Sequence, residues 1–510
     1  MDSYKIRAIA IFVIATIIAI WLGLNAATAQ LGTIMWVAGI GTIIACAMLG
    51  TKIWMILPFA AVLNLTLMIP GQPSTILLSQ ALFIGFSVLL ILLRRLPFSL
   101  NLTELEIWII LLCFCAGQAY LRNPVGLNIF GSSSVGGRPY AIFAAMVISA
   151  VLITGLKVPE KDLALYFRIH ILGGLLNFGM LAIGYLAPSL GVWFGSINAN
   201  AVNEGSYQQG AYGVNRATRI QFTRDISNNI ALWISAIKSP VRACLHPFWA
   251  PLILLSLAFA ALSGYRSEVG AVGLIYLVGI LYRGGLTSTI IAFGGLIVSV
   301  LLLTVLNTII TLPSNIQRSL TILPGSWDET HKKDAKDSTE WRKDMWKEAL
   351  FTEYWIQNKW LGDGLGMTQQ EFNYIQSLEA KRLTGQVGRG KLTIQQEIMM
   401  ASNSYHSGPI STIRAIGYLG LLVLVSAQIR LAIHAHRLIV RSQNTKWHAL
   451  ALLIGIPAVI APLYFLFIFG DFGPALSSLL YGISMVRLLE NNLPLTPRSR
   501  QQMEQAASAP

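Results

Sequence analysis

Four short stretches of this chain set arginine, histidine, hydroxyl and glycine residues where a phosphorylated ligand could be held and a hydroxyl group deprotonated. The first, Asn215 to Arg224, carries Arg216, Arg219 and Arg224 just ahead of an apolar run that opens with Asn228-Asn229. Arginine so close to lipid asks for an anion, either a headgroup reached by snorkelling or a ligand phosphate, and a cluster of three favours the phosphate. The second, Ser263-Gly264-Tyr265-Arg266-Ser267-Glu268, is a tight turn between two apolar runs. Arg266 has Glu268 within reach there, so a structural ion pair and phosphate binding are both open; the guanidinium fork suits phosphate because it donates two parallel hydrogen bonds and stays charged.

The third stretch is helix-like, from Arg342 through Trp346 to Trp360, and ends in Gly362-Asp363-Gly364-Leu365-Gly366. A helix with a solvated basic face and a glycine stop is the plainer reading of that pattern. The fourth, Ser402 to Pro409, sets His406 between Tyr405 and Ser407 at the start of an apolar helix. A lone histidine is more often structural than catalytic. Near arginines, whose field disfavours protonation, the imidazole stays neutral, which is the form a general base needs.

Metal and nucleotide chemistry lack their usual signatures: the chain has no Asp-x-Asp, no His-Glu-x-x-His, no Walker loop and no Gly-x-Ser-x-Gly elbow. No metal, no cofactor and no nucleic-acid partner are expected. Acidic residues are rare in the apolar runs, with Glu106 and Asp471 at edges, which counts against a proton- or sodium-coupled relay.

The elements that must position these stretches are membrane helices. Of 510 residues 54% are hydrophobic and 12% charged, with mean hydropathy +0.61, against roughly 25% charged in an ordinary soluble domain. Apolar runs close to the roughly 20 residues that cross a bilayer recur near 6–25, 31–50, 53–70, 75–93, 104–120, 140–156, 165–187, 227–239, 247–264, 267–282, 286–309, 409–429, 448–470 and 473–487. The expectation is an all-α polytopic membrane protein with about fourteen spans, twelve at the fewest. With the N-terminus inside, Lys52, Arg94, Arg95, Lys157, Lys161, Lys238, Arg242, Arg283, Arg437, Arg441, Lys446, Arg498 and Arg500 all fall on the cytoplasmic side. Both termini are then cytoplasmic, and the run near 6–25 reads as a first helix rather than a cleaved signal.

Five regions follow: N-terminal spans over 1–187, core spans with outward arginine turns over 188–310, a large outward loop over 311–408, C-terminal spans over 409–490 and a disordered polar tail over 491–510. Trp346, Ala349, Leu350 and Tyr354 have amphipathic helical spacing, so the loop is expected to lie over the bundle as a helical cap, and 383–392 reads as a mobile segment. The four cysteines lie in or beside spans and indicate no exported disulfide framework.

In order, these stretches resemble the O-antigen ligase and Wzy-type polymerase superfamily of bacterial membrane glycosyltransferases. His406-Ser407, nine residues and Gly417-Tyr418-Leu419-Gly420 match the ligase pattern His-[Asn/Ser/Gln]-x9-Gly-x-x-[Gly/Thr/Tyr] in full. Gly264-Tyr265-Arg266-Ser267 is similar to the family's Ser-Arg-Gly turn with its small residues partly replaced, and Arg342, Trp346, Gly362 and Gly364 resemble its Arg-x3-Trp and Gly-x-Gly stretch. Arg219, Asn228 and Ala231 resemble a further pattern, though Phe222 and Ser227 stand where Gly and Pro are usual.

The resemblance covers roughly 219–420. It implies a GT-C-like fold in the bacterial inner membrane and transfer of a glycan from an undecaprenyl-pyrophosphate carrier to an acceptor hydroxyl on the periplasmic face. The acceptor would be a glycan, a lipid A core or a protein hydroxyl. Arg266 and Arg342, with Arg216, Arg219 or Arg224, would hold the pyrophosphate; His406 would take the acceptor proton, with Trp346, Tyr405 and Ser407 lining the site. Ligase, Wzy-type polymerase and protein O-oligosaccharyltransferase all stay open, as does a lipid-linked-glycan flippase outside the enzyme class.

Overall fold

The computed structural model describes residues 31–66, 73–126, 135–187, 220, 222–321, 323, 325–383 and 392–493, with the backbone alone at 31–38 and 334. In chain order the helices are α1 (Leu31–Leu49), a 3-10 turn (Gly50–Met55), α2 (Ile56–Leu63), α3 (Thr75–Leu92), α4 (Glu104–Arg122), α5 (Arg138–Gly155), α6 (Glu160–Leu163), α7 (Leu165–Leu186) and α8 (Phe222–Ile237). They continue with α9 (Pro240–Cys244), α10 (Trp249–Leu262), α11 (Arg266–Ile309), α12 (Ser314–Leu320), α13 (Glu329–Phe351), α14 (Gln369–Leu383) and α15 (Ile394–Ala401). The last are α16 (Gly408–Ser442), α17 (His448–Leu463), a π turn (Tyr464–Ile468) and α18 (Phe472–Asn492). Among the described residues there is no strand, only three isolated bridges.

Nine helices among the described residues are long and apolar enough to cross a membrane. Leu286, Ile290, Phe293, Leu301 and Leu302 on α11, with Phe114 and Leu121 on α4, are exposed, and large apolar side chains turned outward on long helices are surface for lipid, where no water is available to penalise them. The chain is a membrane-embedded helical protein. Its apolar runs become helices of unequal reach. The run at 53–70 stops at Leu63, where Asn64 turns left-handed at φ 43°. Those at 227–239 and 247–264 become α8 and α10, of 16 and 14 residues, too short to cross alone at 1.5 Å per residue. The runs on either side of Gly285 share one element interrupted there at φ 71°. The runs near 6–25 and the tail after 493 lie outside the described residues.

At the centre sits α8, packed on α7, α10, α11 and α17. Its apolar face carries the buried Ile226, Ile230, Leu232 and Ile234, while Thr223 and Ser227 are buried polar groups near its start. Capping boxes start two helices: Glu106 accepts from Thr103 at the head of α4, and Gln396 accepts from Thr393 at the head of α15. At the bundle end away from 311–407, cations meet carboxylates pairwise: Lys52 with Asp162 at 3.3 Å, Lys446 with Glu160 at 2.9 Å, and the buried Arg487 with Glu106 at 3.0 Å.

At the other end α12 to α15 form a helical cap. It has its own core, in which Met345, Ala349, Trp355, Ile356, Met400 and Tyr405 pack with Ile410 and Ile413 of α16. The helix runs from Glu329 to Phe351, so Tyr354 falls beyond its end, exposed, rather than on the packed face with Ala349. Residues 384–391, most of the segment expected to be mobile, lie outside the described residues.

Candidate active site at the seam of cap and bundle

Two of the glycine motifs are halves of one contact. Gly417 breaks α16 at φ 76°, ψ −179°, a backbone region almost closed to other residues. The break frees backbone groups that the stretch 359–364 satisfies: the amides of Asp363 and Gly364 donate to the carbonyls of Arg414 and Ala415 at 2.8 and 3.0 Å, and the amide of Tyr418 donates to the Lys359 carbonyl at 2.8 Å. The two backbones lie so close that a Cβ on Gly417 would sit 2.2 Å from the Trp360 carbonyl oxygen, and one on Gly362, at φ 77°, would sit 2.5 Å from Ile416. The Gly362–Gly364 turn is therefore a backbone platform on the broken helix, not the C-terminal stop of the helix before it. Asp363 fixes the turn by accepting the amides of Gln357 and Asn358 at 2.9 and 2.8 Å. Arg122, at the end of α4, clamps it by donating to the carbonyls of Leu361 and Gly362 at 3.0 and 2.6 Å. Gly420 sits one turn on, against the Ile416 side chain.

Above this platform α13 reaches both remaining motifs. Arg266, the first residue of α11, donates Nη2 to the Ala335 carbonyl at 3.3 Å. Two turns further along α13, Arg342 is half-buried with its Nε shut off from solvent. One turn more brings Trp346, whose Nε1 donates to the Tyr405 carbonyl at 2.9 Å. The next residue is His406, held left-handed at φ 50° before α16 begins. A non-glycine residue in that conformation costs on the order of 1 kcal/mol or more and marks a position fixed by its surroundings.

Those surroundings come from the π turn. Its exit places Phe469 against the His406 ring at 5.7 Å between centroids, inclined 29°, and the Asp471 carboxylate accepts the His406 backbone amide. Burial pushes Asp471 up to about 6, against the opposing pull of that amide. Irregular π turns recur at functional sites because they redirect side chains without ending a helix. Here Tyr464, at the turn's start, bonds with Ser267 and Arg224, so one short element touches the arginine turn and the histidine at once.

The sequence expectations sort cleanly against this geometry. Arg266 bonds to the Ala335 end of α13, Arg342 lies on the same helix, and Trp346, about 16 Å along the helix from Ala335, bonds to the carbonyl that precedes His406. Glu268 is not the partner of Arg266: it pairs with Arg224 at 3.2 Å and also accepts from Ser227 and Asn228. Arg224, lying over the Tyr265 ring at 5.8 Å, thus has a carboxylate partner within the protein. Trp346 holds the Tyr405 backbone instead of lining an open site. Tyr405 is wholly buried in the cap core, and burial pushes its hydroxyl well above the ordinary tyrosine range. Ser407 acts through its carbonyl, which accepts the Ser411 amide and hydroxyl at 3.0 and 2.9 Å, with no side-chain cap. Arg216 and Arg219 lie outside the described residues.

Asp471, Tyr464 and Arg414 escaped the motif reading. Arg414 falls inside the nine residues between Ser407 and Gly417 and is buried, with Glu371 at 2.9 Å and Asp363 at 3.7 Å. Charges this deep in apolar runs carry a signal of their own, since such residues seldom persist in membrane segments without a task. No family model matches the chain, and no curated protein matches it.

Proposed function

We propose that the chain is an inner-membrane glycosyltransferase that moves a glycan from an undecaprenyl-pyrophosphate carrier to an acceptor hydroxyl on the periplasmic face, with a GT-C-like fold and O-antigen ligase-type chemistry. The observation that carries this reading is the seam: α13 takes the Arg266 guanidinium at one end and, through Trp346, the backbone beside His406 at the other, with Arg342 between them. Arg266 and Arg342 hold the pyrophosphate and stabilise the charge that develops as it departs. His406 takes the acceptor proton. The acceptor oxygen bonds to the anomeric carbon as its bond to the pyrophosphate oxygen breaks, so the configuration inverts and the carrier pyrophosphate leaves with the bonding pair. His406 works as a base only when its ring is neutral and aimed, and the π-turn contacts of Phe469 and Asp471 supply the aim.

The test is transfer from a lipid-linked donor by membranes carrying His406→Ala or Arg266→Ala, each confirmed to insert. Loss of at least about a hundredfold is expected for each, the usual weight of a general base or of one charge-stabilising donor. Wild-type turnover in both would end the proposal.

A further inference from the structure

A cavity of about 590 Å³ opens between the end of α4, the 354–368 stretch, α14 and the start of α16. It lies apart from Arg266, Arg342 and His406, none of which lines it. Tyr354, Trp355 and Tyr374 supply aromatic faces to its wall, and Asn123, Gln370 and Asn403 supply amides. At its base Arg414, only 6% exposed, is held by Glu371 and Asp363, yet its Nη1 has no hydrogen-bond partner among the described residues. The Asn403 Oδ1 is likewise buried without one. Buried donors and acceptors left open at one cavity are what a missing polar ligand would satisfy.

The charges choose among polar ligands. Arg122 and Arg414 face Asp363 and Glu371 across the same cavity, so the site has no surplus for an anion. Aromatic faces beside amides, a guanidinium and carboxylates suit a neutral polyhydroxyl compound, whose ring C–H faces pack on the aromatics while its hydroxyls both donate and accept. We infer that this cavity binds a neutral saccharide, the sugar end of the acceptor.

This rests on the transferase reading above, and the chain path links the two places. Asn403, in the cavity wall at φ 62°, is three residues from His406 at φ 50°, a span of at most about 11 Å when extended. Two left-handed residues bracket a segment whose middle, Tyr405, is wholly buried, so the cavity wall and the base are parts of one stiff connection. On this reading the acceptor chain runs from the cavity along that connection toward His406.

The experiment measures binding without turnover. The full chain in nanodiscs, with no lipid-linked donor, is titrated with lactose, maltotriose and triacetylchitotriose and followed by saturation-transfer NMR. At least one of these sugars is expected to receive saturation, and Tyr354→Ala and Asn403→Ala are each expected to weaken it about tenfold. Tyr354 is exposed, so its removal spares the fold. Three results overturn the assignment: no saturation of any of the three sugars, equal binding in both variants, or displacement of the sugar by inorganic pyrophosphate, which would mark an anion site. Sugar binding that persists in an intact chain incapable of transfer would sink the transferase reading and leave the saccharide site standing.

Discussion

Replacing Gly417 with alanine should detach the 359–364 platform from α16, and the structure sets the size of the effect. The added Cβ lands 2.2 Å from the Trp360 carbonyl oxygen and 2.4 Å from the Leu361 nitrogen, where ordinary contact begins near 3.4 Å. Both neighbours are backbone and cannot rotate away, so the two segments must part by about an ångström. The alanine also inherits a backbone conformation that costs about 1–3 kcal/mol outside glycine. Parting stretches the four hydrogen bonds that join 359–364 to 414–419, each worth about 1 kcal/mol. Strain and lost bonds together come to about 5–7 kcal/mol, a large share of the stability of any folded chain. The assay is thermal unfolding in detergent with limited trypsin digestion. Lys359 gives its carbonyl to Tyr418, so cleavage after it reports the platform coming loose. Gly273→Ala is the control, since a Cβ there meets nothing within 4 Å. A Gly417→Ala protein that melts with the wild type and resists trypsin at Lys359 would refute the reasoning.

Asp471 gives a pH test. Its folded value of about 6 lies above the ordinary 3.8, so between those values the folded state holds the proton more tightly than the unfolded chain, and stability falls as pH rises from about 4 to about 6. The shift corresponds to about 3 kcal/mol, discounted to about 2 for a partly exposed carboxyl; melting curves at pH 4.5 and 7 should show Asp471→Asn without that decline, and an identical pH dependence in both proteins would remove the cause. Glu268→Gln removes the carboxylate bonded to Arg224. Breaking a fully buried pair costs roughly 3–5 kcal/mol, but the Arg224 side chain is 44% exposed, so about 1–2 kcal/mol is expected in unfolding, partly restored by adding Arg224→Gln; a single variant as stable as wild type would contradict the pairing. Trp346→Phe removes the bond to the Tyr405 carbonyl and should lower kcat for transfer several-fold with KM for the lipid-linked donor unchanged, whereas a change confined to KM would make Trp346 a donor contact.

How much of this was legible before the fold depended on whether a residue acts through its type or through its neighbours. Apolar runs announce helices because lipid tolerates no unpaired backbone, and α3, α5 and α7 begin and end close to their runs. Run length fails where the partner is protein: α8 and α10 are too short to cross alone, but α8 is sheathed by other helices and needs no lipid-matched length. The arginine turn and the histidine were visible as types in odd places, whereas the choice of Arg224 over Arg266 as the partner of Glu268 was not, because α8 and α11 meet only in three dimensions.

Glycine spacing carried the deepest information and was the hardest to decode. His406-Ser407-x9-Gly417 and Gly362-x-Gly364 look in sequence like a catalytic motif and a helix stop. In the structure the second glycine set exists so that the first can break α16, because a helix interrupted inside a membrane protein must find new partners for its freed carbonyls. The break sits one residue past Ile416, directly after the stretch that bears Arg414, so the same pair of glycines fixes the depth of Arg414 and the platform that walls its cavity. The contact between 359–364 and 414–419 therefore fixes Arg414 in the cavity and the first turns of α16 that follow His406. Nine residues make about two and a half helical turns, the length of α16 between Ser407 and its break at Gly417.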